Sequence, residues 1–148
     1  MKTQSSNIPR EAILSKAFQE RRRSDVFKWD VYPIDEQCVL RLVFESWKET
    51  CRHGLRLAVE GSLMVNGHVS SSIEIWADTA PREVRIAVLD STGRLSVYNL
   101  WDAGQGKQSQ SHTSGMLIEP LPKGRRYRCN DIGLVTSFDD LVFRIEVA

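Results

Sequence analysis

The run HGLRLAVEGSLMVNGHVSSSIEIWA, residues 53 to 77, decides the fold. Leu55, Leu57 and Val59 recur at every second position, the period of a strand with one buried face. Leu63 to Val65 carries the pattern to Asn66-Gly67, a pair that tolerates positive φ and is the strongest short hairpin signal. Ile73 and Ile75 repeat the alternation on the return. Gly61 interrupts the outgoing run at a place suited to a bulge or bend.

The same period extends outward on both sides. Val84, Ile86 and Val88 alternate with Glu83, Arg85 and Ala87, and Ser91-Thr92-Gly93 supplies a turn. Leu95, Val97, Asn99 and Trp101 return with Ser96, Tyr98 and Leu100 opposite. Met116–Leu121, Arg125–Cys129 and Leu141–Val147 follow. Upstream, Phe27, Trp29 and Val31 alternate with Lys28, Asp30 and Tyr32 before Pro33 ends the run. Residues 37–50 fit either period. Leu40, Leu42 and Phe44 make a strand face, whereas Val39, Leu42, Val43, Trp47 and Cys51 make a helical stripe; β-branched and aromatic content favours the strand.

Only the N-terminus reads as helix. Ile13, Leu14, Ala17 and Phe18 form an apolar stripe, Ser6 and Asn7 offer caps, Pro9 suits the first turn, and Arg21, Arg22 and Arg23 complement the dipole at the far end. The spacing predicts a helix over Pro9–Arg22. Residues 1–8 read as a flexible N-terminus and residues 9–148 as a single domain. The expected fold is therefore mostly β: an antiparallel, jelly-roll-like β-sandwich of about nine short strands with one N-terminal α-helix.

Composition narrows the function. With 148 residues, the chain has room for one domain with its own core and no need of a metal or disulfide staple. Lys and Arg total 20 against 19 acidic residues, a net charge of +1, which gives no long-range pull on nucleic acid or anionic lipid. Cys38, Cys51 and Cys129 are odd in number and form no CxxC pair, so free thiols are expected. The first residues hold no apolar secretory segment and no run is long enough to span a membrane. The expected location is cytoplasmic.

Residues 102–115, DAGQGKQSQSHTSG, hold one apolar side chain, Ala103. Long polar loops in compact domains are often functional. Gly104 and Gly106 free the backbone, Lys107 offers a cation, and His112 titrates near neutral pH. The candidate ligand-binding residues are Trp101, Asp102, Lys107, His112 and Thr113, for a small polar ligand or sugar. Trp29, Trp47 and Trp76 sit in alternating strands, where core packing is the ordinary role. Asp131, Asp139 and Asp140 fit strand-end turns better than a calcium site, so no metal or other cofactor is expected. Cys51 and His53 are spaced to share one strand face, but no motif with a catalytic mechanism surrounds them. The sequence thus favours a non-enzymatic binding module. The alternatives are a protein-interaction domain or homodimer, and a hydrolase or transferase using His112.

Overall fold

The computed structural model describes residues 8–148. The expected flexible stretch falls outside these residues except for Ile8, as do the cap candidates Ser6 and Asn7. Each of the nine alternating stretches is a strand. In chain order, with two two-residue strands added, they are β1 (Ile13–Leu14), β2 (Val26–Pro33), β3 (Cys38–Trp47), β4 (Arg52–Val65), β5 (His68–Trp76), β6 (Glu83–Asp90), β7 (Arg94–Asp102), β8 (Gln108–Ser109), β9 (Gly115–Leu121), β10 (Gly124–Asn130) and β11 (Leu141–Val147).

The strands do not form a sandwich. They close into an eight-stranded antiparallel barrel in the order β2-β9-β10-β11-β3-β6-β4-β7, with β7 pairing back onto β2. β1, β5 and β8 are additions on β2, β4 and β7. Two strands make the closure. β2 gives Val26 and Phe27 to β9, then Asp30–Pro33 to β7. β4 gives Arg52–Ala58 to β7, then Ser62–Met64 to β6. Side chains alternate in and out along every strand in sandwiches and barrels alike, so the period that located the strands carries no information on closure.

Gly61 is what lets β4 change partners. Its φ is +150°, and a Cβ there would lie 2.2 Å from the Asp90 carbonyl oxygen. The backbone of β6 reaches β4 only because position 61 has no side chain. At the far end of β4, Asn66 and Gly67 both take positive φ, as the hairpin signal requires.

Eight strands enclose a space that side chains just fill. Leu40, Leu42 and Phe44 of β3 meet Leu55 and Leu57 of β4, Ile86 of β6, Val97 of β7, and Phe143 and Ile145 of β11 in one buried cluster. Tyr127 stacks on Phe143 at 4.9 Å between centroids. Outside, charges pair across and along strands in a continuous ladder: Arg128–Glu119–Arg126–Glu45–Arg144–Glu146–Arg41–Glu83. The basic run around Arg126 and Arg128 is thus neutralised by partners on β3 and β9.

The predicted N-terminal helix shrinks to four residues, α1 (Lys16–Gln19). Ile13 and Leu14 instead pair with Trp29 and Phe27, and the Ser15 N–H donates to the Val26 carbonyl. A lone helix of fourteen residues is marginal in water, and here a sheet edge supplies the same segment with backbone partners. Ala17 and Phe18 are still buried; Phe18 packs with Val26 and Phe138 in a second, smaller cluster.

Candidate functional site

Antiparallel order brings the end of β3, the start of β4, the end of β7, the start of β9, the end of β10 and the start of β11 to one rim. There the barrel interior changes from apolar to polar. His53 follows the inward face of Leu55 and Leu57, opposite Trp101 on β7, and Leu55 lies opposite Asn99. Asp131 comes two residues after buried Cys129. His53, Asn99 and Asp131 are all buried, with His53 only 1% exposed.

These side chains form an ordered line. The Cys51 Sγ lies 3.6 Å from His53 Nε2. On the other side of the ring, Nδ1 lies 3.1 Å from Asp131 Oδ2, off the line of a ring N–H. Asn99 Nδ2 donates to Asp131 Oδ1 at 3.2 Å, and Asp140 Oδ2 accepts from the Asp131 backbone N–H at 2.9 Å. Asp131 therefore stands beside the imidazole, and two further groups hold Asp131.

The electrostatics of the line are acidic. Burial pushes the Cys51 thiol above its ordinary value, and the Asp131 and Asp140 carboxylates push the same way. The Asp102 backbone N–H and the Thr50 hydroxyl oppose this, without reversing it. Burial likewise raises Asp131, partly offset by its contact with His53.

Cys51 and His53 open onto a cleft of about 380 Å³ walled by Trp47, Glu49, Arg52, Asp78 and Asp102. Arg52 is held by Asp78 at 2.8 Å and lies over the Trp76 ring. Trp47 meets Phe44 edge-on at the top of the core.

The five residues singled out from the 102–115 loop scatter. Asp102 lines the cleft, and its carboxylate also accepts from the Gly104 N–H at 2.8 Å. Trp101 is 2% exposed, and its indole N–H donates to Gln108 Oε1 at 2.8 Å. Lys107 pairs with Glu74 on β5. His112 is exposed to solvent. Thr113 ties the loop down: its hydroxyl oxygen accepts from the Gly133 N–H and its carbonyl from Asn130 Nδ2. The segment is not wholly irregular, because Gln108 and Ser109 form β8 against the end of β7. Ser111 adds a hydrogen bond to the Asp131 carbonyl. The loop thus braces the strand end that carries Asp131.

The sequence did offer Cys51-x-His53 on one strand face. The partners that give the pair its meaning, Asn99 on β7 and Asp131 just after β10, lie 46 and 78 positions from His53 by residue number. No family model matches the chain, and neither a curated protein nor a solved structure matches it. Among the described residues, no helix is long and apolar enough to cross a membrane.

Proposed function

We propose that the protein is a binding module that takes a small, positively charged polar ligand into the rim cleft of its barrel. One observation carries the reading: Cys51 and His53, backed by a buried and braced Asp131, open onto a cleft whose other charges are mainly acidic. Glu49, Asp78 and Asp102 face Arg52 alone, and Arg52 is already engaged by Asp78. A cation gains from that imbalance, and Trp47 adds an aromatic wall suited to a cationic head or an apolar edge. In this reading the 102–115 loop contributes Asp102 to the cleft and braces the rim through Thr113, rather than closing over a ligand with Lys107 and His112. The near-neutral net charge and the paired outer ladder favour a small ligand over nucleic acid or a membrane surface, and three unpaired thiols suit a cytoplasmic setting.

The test is a tryptophan-fluorescence and NMR titration with putrescine and choline, with glucose as the neutral comparison. Binding of either cation, weakened by Glu49→Gln and Asp102→Asn, supports the reading. Equal response to glucose, or binding indifferent to both substitutions, overturns it.

A second reading draws on the order thiol, imidazole, carboxylate, which is that of a nucleophile, its base and an orienting group. Burial, and then the Asp131 and Asp140 carboxylates, push the Cys51 thiol up, which disfavours a free thiolate nucleophile. The binding reading therefore leads.

A further inference from the structure

We propose that Cys51 Sγ and His53 Nε2 are two ligands of a divalent transition-metal site of the zinc type, with Asp131 as the residue that positions the imidazole. The proposal rests on the reading of the rim cleft as a cation-binding site and names the cation.

Three features lead to it. The first is the bite. A tetrahedral metal with a thiolate arm near 2.3 Å and an imidazole arm near 2.0–2.1 Å needs its two donors roughly 3.5 Å apart, and Sγ and Nε2 are 3.6 Å apart. A weak S–H···N hydrogen bond already holds the two atoms at the spacing an ion would need.

The second is the far side of the ring. A metal-ligating histidine is held by a carboxylate or carbonyl at its other nitrogen, which fixes the tautomer and aims the lone pair at the metal. Asp131 Oδ2 stands 3.1 Å from Nδ1, off the line of a hydrogen bond but within the small ring rotation that would form one. Asp131 is itself held by Asn99 and by the backbone that Asp140 engages.

The third is the composition of the donors. Among the described residues, Cys51, His53 and Asp131 gather a thiol, an imidazole and a carboxylate within 4.8 Å of one another, the first two as ligands and the third behind the ring. A thiolate beside an imidazole selects zinc-like ions over calcium or magnesium, which take oxygen. On binding, the Cys51 S–H bond is lost, its proton passes to solvent and the S–metal bond forms. The carboxylates around the site, unfavourable to a bare thiolate, favour the metal-bound one. The remaining coordination positions face the cleft, where Glu49 and Asp102 stand and an external ligand can enter.

Cobalt is the probe, because a bound thiolate gives it a charge-transfer band in the near ultraviolet. The full chain, stripped with chelator, is titrated with Co²⁺ and then with competing Zn²⁺. One cobalt per chain with that band is expected. Cys51→Ser should remove the band, and Cys38→Ser should keep it. Asp131→Asn should weaken binding 10- to 100-fold with the band retained. Cys51 is only partly buried, so its serine variant is a mild change; circular dichroism checks its fold, and Zn²⁺ protection of Cys51 from iodoacetamide gives a readout on the unmodified chain. Cobalt bound without the band, affinity unchanged in Cys51→Ser, or no protection by zinc overturns the metal site. If those results come with putrescine or choline still binding through Glu49 and Asp102, the cleft reading survives and only the metal falls; loss of both sinks the two together.

Discussion

Replacing Tyr127 by Phe tests the barrel from the inside. Asp30 is 1% exposed, so its carboxylate must find its partners within the protein. It has two. Arg125 Nη1 reaches both carboxylate oxygens, at 3.0 and 2.9 Å, and the Tyr127 hydroxyl donates to Oδ2 at 2.6 Å. Burial, then the neighbouring Asp30 charge, pushes the Tyr127 phenol well above its ordinary value, so it remains a donor across the usable pH range. Phenylalanine keeps the ring and its stacking on Phe143, removing only the hydroxyl. The carboxylate keeps Arg125 and loses a charge-assisted hydrogen bond, worth about 1.5–3 kcal/mol. For a chain of this length that is roughly 3–12 °C in melting temperature. Urea denaturation with an unchanged m-value measures it. Arg125→Met should cost more, about 3–5 kcal/mol, since it leaves a buried charge without its counter-ion. The double variant should lose less or more than the sum, because both groups serve one carboxylate. A Tyr127→Phe midpoint equal to the parent, or strict additivity of the pair, would refute the description of Asp30 as a buried charge held jointly by both.

Phe18→Ala should cost about 3–5 kcal/mol, because the ring is buried against Phe138 at 5.6 Å between centroids; an unchanged denaturation midpoint would mean that the α1 segment does not cap the barrel. Gly124→Ala should destabilise by about 1–3 kcal/mol, since its new methyl group would meet the Ile145 carbonyl oxygen at 2.0 Å; a neutral result in thermal melts would contradict the β10–β11 register. Burial pushes Glu45 up, but hydrogen bonds from Arg126 and Arg144 outweigh it and hold the carboxyl below its ordinary value of 4.5. A depressed folded value stabilises above the unfolded one and is lost as pH falls through the folded one, so stability should decline below about pH 4.5 and Glu45→Gln should flatten that decline; parallel acid limbs for the two proteins would count against the ladder.

Period-2 alternation made the strands legible because it reports burial of one face, and that face is buried here. The Asn66-Gly67 turn and the bend at Gly61 were legible because each depends on a backbone conformation that few residues accept. Closure was not legible, because it depends on which strand lies beside β2 and β4 after each changes partner. That choice is made by backbone hydrogen bonds between segments far apart in sequence, with no residue-type signature. The N-terminal stripe misled for a related reason: Ile13 and Leu14 satisfy a helical spacing, but a neighbouring edge at Phe27 and Trp29 offers the backbone more than a short helix does.

The site follows the same division. Cys51 and His53 share a strand, so their common face could be read from spacing alone. What turns a thiol beside an imidazole into a candidate metal-binding pair is the carboxylate behind the ring, and the Asp131 position is set by closure. In an open sandwich the end of β10 need not share a rim with the paired ends of β4 and β7. In the barrel they do, which places Asn99, Asp131 and the Thr113 brace around one imidazole. The two most informative features, barrel closure and the Asp131 contact, are thus one fact seen at two scales. A perturbation that loosens the rim without touching the cleft should therefore reach His53. Thr113→Val removes the hydroxyl oxygen that accepts from Gly133 at 2.7 Å, several residues from any donor atom of the site. It should disturb the His53 ring resonances in NMR and weaken cobalt binding while Cys51→Ser-sensitive charge transfer persists. Unshifted His53 resonances in that variant would mean that the loop and the imidazole are independent, and that the rim is a set of neighbours rather than one support.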